Sequence, residues 1–478
     1  MLNYALKSIP TDQMLQDKLC IQRYNLSKHY CHNLPTMEVD PLGMKSTILA
    51  EVTRMTLYIN IIYTIPVLIV SIIVGPFIDK CKPAKRLLLI MASTITMAEM
   101  TILALNSYFY DTNYYFIFLS HLTNSLCGGP LVLLTTIWAY LSSVTPEHIR
   151  SLRMVFIELC IFAGPPIATT ISGNMLDLRS PFVGRELRNY TTIFLIGIIC
   201  AFISLLISLF LVDEEKERKL FVKYFPHDKT IECKNQIDLN QFPGEASDEI
   251  LNNLFNLQNV RDMFRTFIRP RKHGIRLQMF LLILSTITIM VAYLGTSVFL
   301  YQYIQKVFAW SPASYSNYVT AASVINIITT MILAPIFVKV LKWADLTYAL
   351  IAFIMVLIQN TIRSVSTSVW TFYIALPFFS VNSLAIVGIR SYITKLVESN
   401  ELGKIFACLT AIDSITPLIS SLIFSPLFGI TIDTHPNLTF VALCVTLIIG
   451  NSLMSFVAFR SKKTLTAIEF DRNEESQT

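Results

Sequence analysis

Long stretches with few or no charged residues recur along almost the whole chain, and they constrain its fold more than any motif does. A bilayer hydrocarbon core about 30 Å thick is crossed by roughly 20 apolar residues in an α-helix. Because lipid offers the backbone no hydrogen-bond partner, we expect these stretches to be helices, so the predicted fold class is an all-α polytopic membrane protein. Eleven stretches meet the length requirement: 56–78, 87–106, 115–142, 154–176, 190–212, 277–300, 313–338, 346–363, 369–394, 404–430 and 437–459.

The distribution of lysine and arginine predicts the orientation of these spans. Alternate short loops contain 14 of these residues, whereas the loops on the other side contain 5. Basic loops stay on the cytosolic side, so the richer set is predicted to be cytosolic. The N-glycosylation sequons at Asn25, Asn189 and Asn437 then fall on the outer side. The net charge of +6 is explained by this asymmetry, so the lipid bilayer is an expected partner and nucleic acid is not.

One long polar insert divides the spans into two sets. Residues 213–275 are predicted to be a cytosolic linker, in which apolar residues from Ile250 to Phe267 recur at helical intervals and predict an amphipathic helix. Short sequences on either side echo each other, "VGPFIDK" at 74–80 and "LAPIFVK" at 333–339. The predicted organisation is therefore an outer segment at 1–55, a helical bundle at 56–212, the linker, a second bundle at 276–460 and a cytosolic tail at 461–478.

The N-terminal segment "MLNYALKSIPTDQMLQ" is too short and too polar to be recognised as a span. We expect it to be the remnant of a first helix that is otherwise missing, so that about eleven spans are seen of twelve. The alternative is a tail on an eleven-span protein. In the same segment Cys20 and Cys31 lie on the oxidising outer side with ten residues between them, which favours a local disulfide over two free thiols.

The hinge that follows the first predicted span carries a recognisable pattern. Gly75, Asp79, Lys85 and Arg86 resemble the loop signature of the major facilitator superfamily, in which these residues belong to a cytosolic gate. The resemblance narrows at "GGPLVLLTTIWAYLSSVTPEHIRSLRMVFIE", "VFLYQYIQKVFAWSPASYSNY" and "GIRSYITKLVESNELGKIFA", which look like the proton-coupled folate transporter and thymic stromal cotransporter family. The resemblance implies two pseudo-symmetric helical bundles. It also implies that Arg150 and Arg153 belong to the cytosolic gating loops.

Charged residues inside the spans are the candidate functional residues, because an ionised group in hydrocarbon costs several kcal/mol. The family resemblance implies a proton-coupling role for Glu158 and draws attention to Arg390, whose guanidinium suits an anionic substrate. The alternatives are an ion pair of Glu158 with Arg153 and snorkelling of Arg390 to lipid headgroups. Glu99 and Asp413 lie deeper and are also predicted to bind substrate, either lining a cavity or pairing with a basic residue.

Together these features predict a secondary-active transporter that moves a small organic solute, expected to be anionic, together with protons by alternating access. The alternative is a receptor or regulatory homologue that does not transport. No P-loop, HExxH or GxSxG motif occurs in a suitable context, so we expect no enzyme activity. The nine cysteines show no metal-ligand spacing, and no metal or cofactor is expected. The expected location is the plasma membrane or the lysosomal membrane.

Overall fold

The computed structural model describes residues 1–80, 84–145, 147–182, 186–213, 216, 274–341, 343–379, 382–397 and 402–475. Every regular element in these ranges is a helix, which confirms the all-α fold class. The predicted amphipathic helix of the linker lies outside the described residues. The α-helices are α1 (Leu2–Lys18), α2 (Lys28–Asn33), α3 (Lys45–Lys80), α4 (Ala84–Tyr108), α5 (Tyr115–Ser125), α6 (Gly129–Val144), α7 (Glu147–Leu176), α8 (Tyr190–Phe210), α9 (Ile275–Phe308), α10 (Pro312–Pro335), α11 (Asp345–Ser364), α12 (Val369–Ile374), α13 (Leu376–Phe379), α14 (Asn382–Leu396), α15 (Leu402–Thr431) and α16 (Leu438–Glu475).

Eight helical stretches among the described residues are long and apolar enough to cross a membrane, which agrees with a multi-pass membrane protein. Two predicted spans are interrupted, and one of them, predicted at 369–394, divides into α12, α13 and α14. The span predicted at 115–142 divides into α5 and α6 at Gly128, whose φ of +77° ends one helix before the next begins. The eight stretches are Lys45–Ser71, Lys85–Tyr108, Tyr190–Phe210, Ile275–Phe308, Pro312–Leu333, Asp345–Ser364, Ala411–Thr431 and Leu438–Ser461.

The N-terminal segment differs from our expectation of a missing first helix. Residues Leu2–Lys18 form α1, and a π-helical turn at Leu19–Arg23 continues it. At 1.5 Å per residue these 22 residues extend for about 33 Å, the thickness of a bilayer core. Hydropathy does not reveal α1 because its polar side chains are buried among protein groups; Gln13, Gln16 and Asp17 are each 0% exposed.

The helices form two compact units, and their boundaries differ from the predicted domains. The first unit comprises Met1–Asn25 and Ile62–Gln258, so α1 belongs to a bundle and not to an outer segment ending at residue 55. The second unit comprises Leu26–Ile61 and Asn259–Thr478. Helix α3 therefore contributes residues 45–61 to the second unit and its remaining residues to the first.

Within the first unit, α4 packs along α8, and α1 packs against α7 and α8. The contact between α4 and α8 is close at Gly197, where an added Cβ would lie 2.8 Å from Met100 Sδ. A small apolar cluster of Val74, Ile78, Leu88 and Val132 joins α3, α4 and α6. These contacts hold α4 in the middle of the unit, where its one acidic side chain is completely buried.

Within the second unit, α9 packs against α15 and α16, and α11 packs against α14 and α16. Aromatic rings fill the space between these helices. The ring of Phe299 lies 5.3 Å from that of Phe428 and 5.1 Å from that of Phe440, and Tyr303 packs edge-on against Phe440 at 4.9 Å. These side chains are fully buried, so they form the core that positions α14 and α15.

Candidate functional site

A buried ion pair links α1 to α4 in the first unit. The Lys7 ammonium donates to Oε1 of Glu99, and the side chains are 5% and 0% exposed. Asn124 of α5 donates its side-chain amide to Glu99 Oε2, so both carboxylate oxygens are hydrogen-bonded. The Lys7 ammonium also lies 5.4 Å from the centre of the Tyr4 ring. Glu99, predicted to line a cavity or to pair with a base, is therefore paired with Lys7.

A small pocket with a cavity volume of about 50 Å³ adjoins this ion pair. Its wall comes from four helices of the first unit and is formed by Met1, Asn3, Tyr4, Ala92, Ile95, Thr96, Glu99, Asn124, Cys127, Gly129, Pro130 and Leu133. Gly129 has a φ of +60°, and a Cβ at this position would lie 2.0 Å from the hydroxyl oxygen of Tyr63. The absence of a side chain at Gly129 thus allows the Tyr63 hydroxyl to reach the edge of the pocket.

A second polar network fixes the other end of α1. Asp17 accepts hydrogen bonds from Gln13 at 2.7 Å, from Arg188 at 3.2 Å and from the Tyr190 hydroxyl at 2.7 Å. The adjacent Lys18 donates to the carbonyl oxygens of Asn106 and Thr112, each at 2.9 Å. These contacts hold α1 in place at its polar positions and leave Lys7 fixed beside Glu99.

In the second unit, Arg390 of α14 pairs with Asp413 of α15 at 2.5 Å. The Arg390 side chain is 40% exposed and that of Asp413 is 15% exposed. A neighbouring pair joins Lys395 of α14 to Asp345 of α11 at 2.5 Å. The structure therefore brings together two residues that the sequence identified separately, and it gives Asp413 the basic partner that the sequence did not identify.

The predicted gating residues are described only in part. Lys85 lies at the start of α4, and the adjacent Arg86 donates to the carbonyl oxygen of Leu209 at 2.6 Å. Arg153 donates to the Thr145 hydroxyl at 3.0 Å. The backbone of the remaining three gating residues and of the predicted proton-coupling acid is helical, but their side chains lie outside the described residues: Gly75, Asp79, Arg150 and Glu158.

The predicted disulfide and glycosylation residues lie near the N-terminus and at the start of α8. Cys20 and Cys31 are both buried, and each forms a disulfide bond. That they bond to each other stays a prediction. Asn25 is exposed, which suits its predicted glycosylation. Asn189 is only 4% exposed at the start of α8, so a glycan on it would require local rearrangement.

Asp40 organises the connection between α2 and α3. It accepts a hydrogen bond from the Tyr30 hydroxyl at 2.6 Å, and the backbone amides of Leu42 and Lys45 donate to it at 3.0 and 2.6 Å. Burial acts to raise the pKa of the Asp40 carboxyl, but these hydrogen bonds outweigh it and lower the pKa below its usual value. Asp40 therefore stays ionised in mildly acidic surroundings.

Sequence reasoning missed Lys7, which is the partner of Glu99. The sequence predicts an outer remnant here, although a lysine in the second turn of a helix that also carries buried glutamines is a signal of internal pairing. Among the described residues, no group of three or more His, Cys, Asp and Glu side chains could hold a metal ion. Both candidate sites are thus combinations of one base and one acid within a helical unit.

The family profile of the Major Facilitator Superfamily matches residues 44–420. The chain belongs to this superfamily. The assignment confirms the family expected from the hinge around Asp79 and agrees with the helical architecture described above.

This chain is similar to two curated proteins whose names include the solute-carrier designation SLC46. It is 21% identical over 334 residues to the "Probable peptidoglycan muropeptide transporter SLC46" of Drosophila melanogaster, over 69% of this chain and 58% of the relative. It is 23% identical over 209 residues to the "Lysosomal proton-coupled steroid conjugate and bile acid symporter SLC46A3" of Mus musculus, over 42% of this chain and 44% of the relative. The matches thus span about half the length of these relatives.

Solved structures of superfamily transporters share the fold. The peptide transporter POT in complex with alafosfalin superposes with a TM-score of 0.61 at 13% identity, covering 96% of this chain and 94% of that one. The inward-open xylose transporter XylE from E. coli superposes with a TM-score of 0.57 at 13% identity, covering 95% and 93%. At this level of identity the likeness establishes the fold alone.

Proposed function

We propose that this protein is a secondary-active transporter that moves a small organic anion across a membrane together with protons, by alternating access. The observation that supports this function best is a base paired with an acid inside each helical unit, Lys7 with Glu99 and Arg390 with Asp413. Placing such pairs among apolar helices is costly, so they are expected to act on a substrate or an ion. Superfamily membership and the names of the two curated relatives support transport.

The anionic character of the substrate is proposed from Arg390. Its guanidinium uses one nitrogen for Asp413, and its buried Nε has no hydrogen-bond partner among the described residues. A guanidinium presents several donors in one plane, so a carboxylate or sulfate can bind beside Asp413. The mouse relative is named as a symporter of steroid conjugates and bile acids, and the bile acids in that name support an acidic solute.

The coupling ion is proposed to be the proton. Glu158 is the acid that the sequence resemblance implies, and its backbone lies within α7 of the first unit. A carboxyl group that is removed from water gains and loses a proton nearer to neutral pH than an exposed one does. The proposed location is the plasma membrane or the lysosomal membrane, and the name of the mouse relative favours the lysosome.

Uptake measurements test this function. Cells or liposomes that contain the full chain are offered radiolabelled organic anions, among them a bile acid, a steroid sulfate and a muropeptide, at acidic and neutral outer pH. We expect acid-stimulated uptake of at least one anion. Arg390→Ala should reduce the uptake, and Glu158→Gln should remove its dependence on pH.

A matched control is available on the same helix. Lys395 is also paired with an aspartate, but its side chain is 52% exposed and it is not part of the proposed site. Lys395→Ala should therefore leave uptake close to that of the unmodified protein. If no anion is taken up at either pH by correctly inserted protein, the transport proposal is wrong and a receptor or regulatory role is favoured instead.

A further inference from the structure

Helix α1 is buried along most of its length, and the two positions that are not buried are both polar. In residues 5–20, all of which the structure describes, every residue is buried except Ser8 and Asp12. These two residues are four positions apart, and Tyr4, four positions earlier, is 51% exposed. Residues at this spacing lie on one face of an α-helix. We call this face, formed by Tyr4, Ser8 and Asp12, the polar face of α1.

The polar face differs from the surface that a helix presents to lipid. Helix α8 of the same unit exposes apolar side chains at positions such as Leu195, Ile199 and Phe202. A serine and an aspartate that faced hydrocarbon in the same way would be costly, above all the ionised aspartate. The polar face of α1 is therefore suited to an aqueous space, with Asp12 as the acid at its edge.

Asp12 differs from the base and the acid that lie five residues before and after it in α1. Lys7 is paired with Glu99, and Asp17 accepts a hydrogen bond from Arg188 at 3.2 Å. The Asp12 carboxyl group forms no ion pair or hydrogen bond with any residue that the structure describes. It is thus an acid that no described cation neutralises, on the one face of α1 that is not covered by its own unit.

The helices packed against α1 do not supply that cation among their described side chains. Helix α1 packs against α4, α7 and α8, and α8 contains no charged residue. Besides the groups already named, the titratable side chains described on the elements around α1 are Tyr63 of α3, Lys85 and Arg86 in the first turn of α4, His121 of α5, Arg153 of α7, and Tyr190 and Cys200 of α8. The other charged side chains of α7 lie outside the described residues.

A carboxyl group in this position is suited to bind and release a proton. The protonated acid is neutral, so it needs no cation and is less costly in surroundings of low dielectric constant. Its contact with water gives the proton a route to and from the group. A negatively charged solute in the same aqueous space would favour the protonated form further, because like charges repel.

We propose that Asp12, on the polar face of α1, binds the proton that accompanies the transported anion. This inference rests on the proposed transport function and deepens it, because it assigns the coupling proton to a side chain whose surroundings the structure describes. It adds a proton-binding residue to Glu158, the acid that the family resemblance implies.

Carbodiimide labelling of the full chain in detergent tests the inference without requiring transport. Dicyclohexylcarbodiimide is the probe, because it enters apolar surroundings and reacts with the protonated form of a carboxyl group. Labelling of each aspartate is read by mass spectrometry at about pH 5.5 and about pH 6.5. An ordinary aspartate is ionised throughout this range, so its labelling rate falls about tenfold, whereas that of Asp12 should fall less than about threefold.

Two aspartates serve as controls in the same sample. Asp433 is 68% exposed, so its labelling should show the tenfold fall of an ordinary carboxyl group. Asp17 is 0% exposed and hydrogen-bonded, so it should not be labelled at either pH.

Cysteine substitution tests the aqueous character of the polar face separately. A charged thiosulfonate reagent reacts with thiols that meet water and not with thiols that face lipid. Ser8→Cys should be modified at least about tenfold faster than Ile9→Cys, since Ile9 is 4% exposed and belongs to the buried side of the same helix.

The uptake panel completes the test. Asp12→Asn should remove the stimulation of uptake by acid, and Asp433→Asn should retain it. The inference is overturned if Asp12 is labelled with the pH dependence of Asp433, if Ser8→Cys is as unreactive as Ile9→Cys, or if Asp12→Asn retains acid stimulation. If labelling and cysteine modification follow the expectation but no anion is taken up by the unmodified protein, the proposed function fails and the proton-binding site stands.

Discussion

Removing the carboxylate of Asp17 should loosen the whole first unit. Asp17 is completely buried and accepts hydrogen bonds from Gln13, Arg188 and Tyr190. Asp17→Ala removes a carboxylate from the buried Arg188 and leaves the more distant Asp177, at 3.7 Å, beside it. Breaking a buried ion pair from one side costs about 3–5 kcal/mol, so the equilibrium constant for opening of α1 should rise by at least roughly 100-fold.

Free cysteines provide the assay for this variant. Cys127 is buried in the first unit and Cys444 belongs to the second. The rate at which a thiol reagent modifies each cysteine in native protein, read by mass spectrometry, reports local opening. Asp17→Ala should accelerate the modification of Cys127 and leave that of Cys444 nearly unchanged.

The control for this experiment is Asp433→Ala. The Asp433 side chain is 68% exposed and lies 3.9 Å from Lys306, so its removal should cost at most about 1 kcal/mol. Equal modification rates of Cys127 in Asp17→Ala and in the unmodified protein would show that the Asp17 network does not hold α1, and the reasoning would be refuted.

Three further changes have defined outcomes. Asp40→Asn should destabilise the segment between α2 and α3 at neutral pH. Folding lowers the pKa of Asp40, so its contribution to stability is fully present above the pKa of an unfolded aspartate, about 3.9. That contribution is lost as the pH falls through the pKa of Asp40 in the folded protein. The proteolysis rates of the variant and of the unmodified protein should therefore become equal only in strong acid. Gly129→Ala should lower the thermal midpoint, since the new Cβ meets the Tyr63 hydroxyl and φ is +60°, and Tyr63→Phe in that background should recover part of the loss. Phe299→Ala should cost about 3–5 kcal/mol in denaturant unfolding of the second unit, with the exposed Phe459→Ala as the neutral control.

The helical architecture could be predicted from sequence because it follows from one physical constraint. Residues such as those of α8 are almost uniformly apolar, and a helix is the one way to satisfy their backbone in lipid. The interruption at Gly128 was not predicted, because a glycine and a following proline are compatible with either a kink or a break. Hydropathy also failed for α1, whose polar side chains are satisfied inside the unit and so resemble those of a soluble segment.

The sequence predicts individual residues of the two candidate ion pairs but not which residues pair with each other. The cost of an intramembrane charge is enough to identify Glu99 and Asp413 as candidate functional residues. Their partners Lys7 and Arg390 lie 92 and 23 residues away in the chain, and pairing over such distances depends on how helices pack, which periodicity does not encode. The family resemblance and the chemistry of its guanidinium together identify Arg390, whereas Lys7 lies in a segment that the sequence predicts to be outside.

The polarity of α1 has a consequence for biogenesis. Lysine and aspartate near the middle of a lone helix each add about 2.5–3.5 kcal/mol to the free energy of insertion by the translocon, and α1 contains Lys7, Asp12 and Asp17. Its neutralising partners, Glu99 and Arg188, are synthesised much later. Helix α1 therefore has no stable place in lipid until these partners in its bundle have been synthesised.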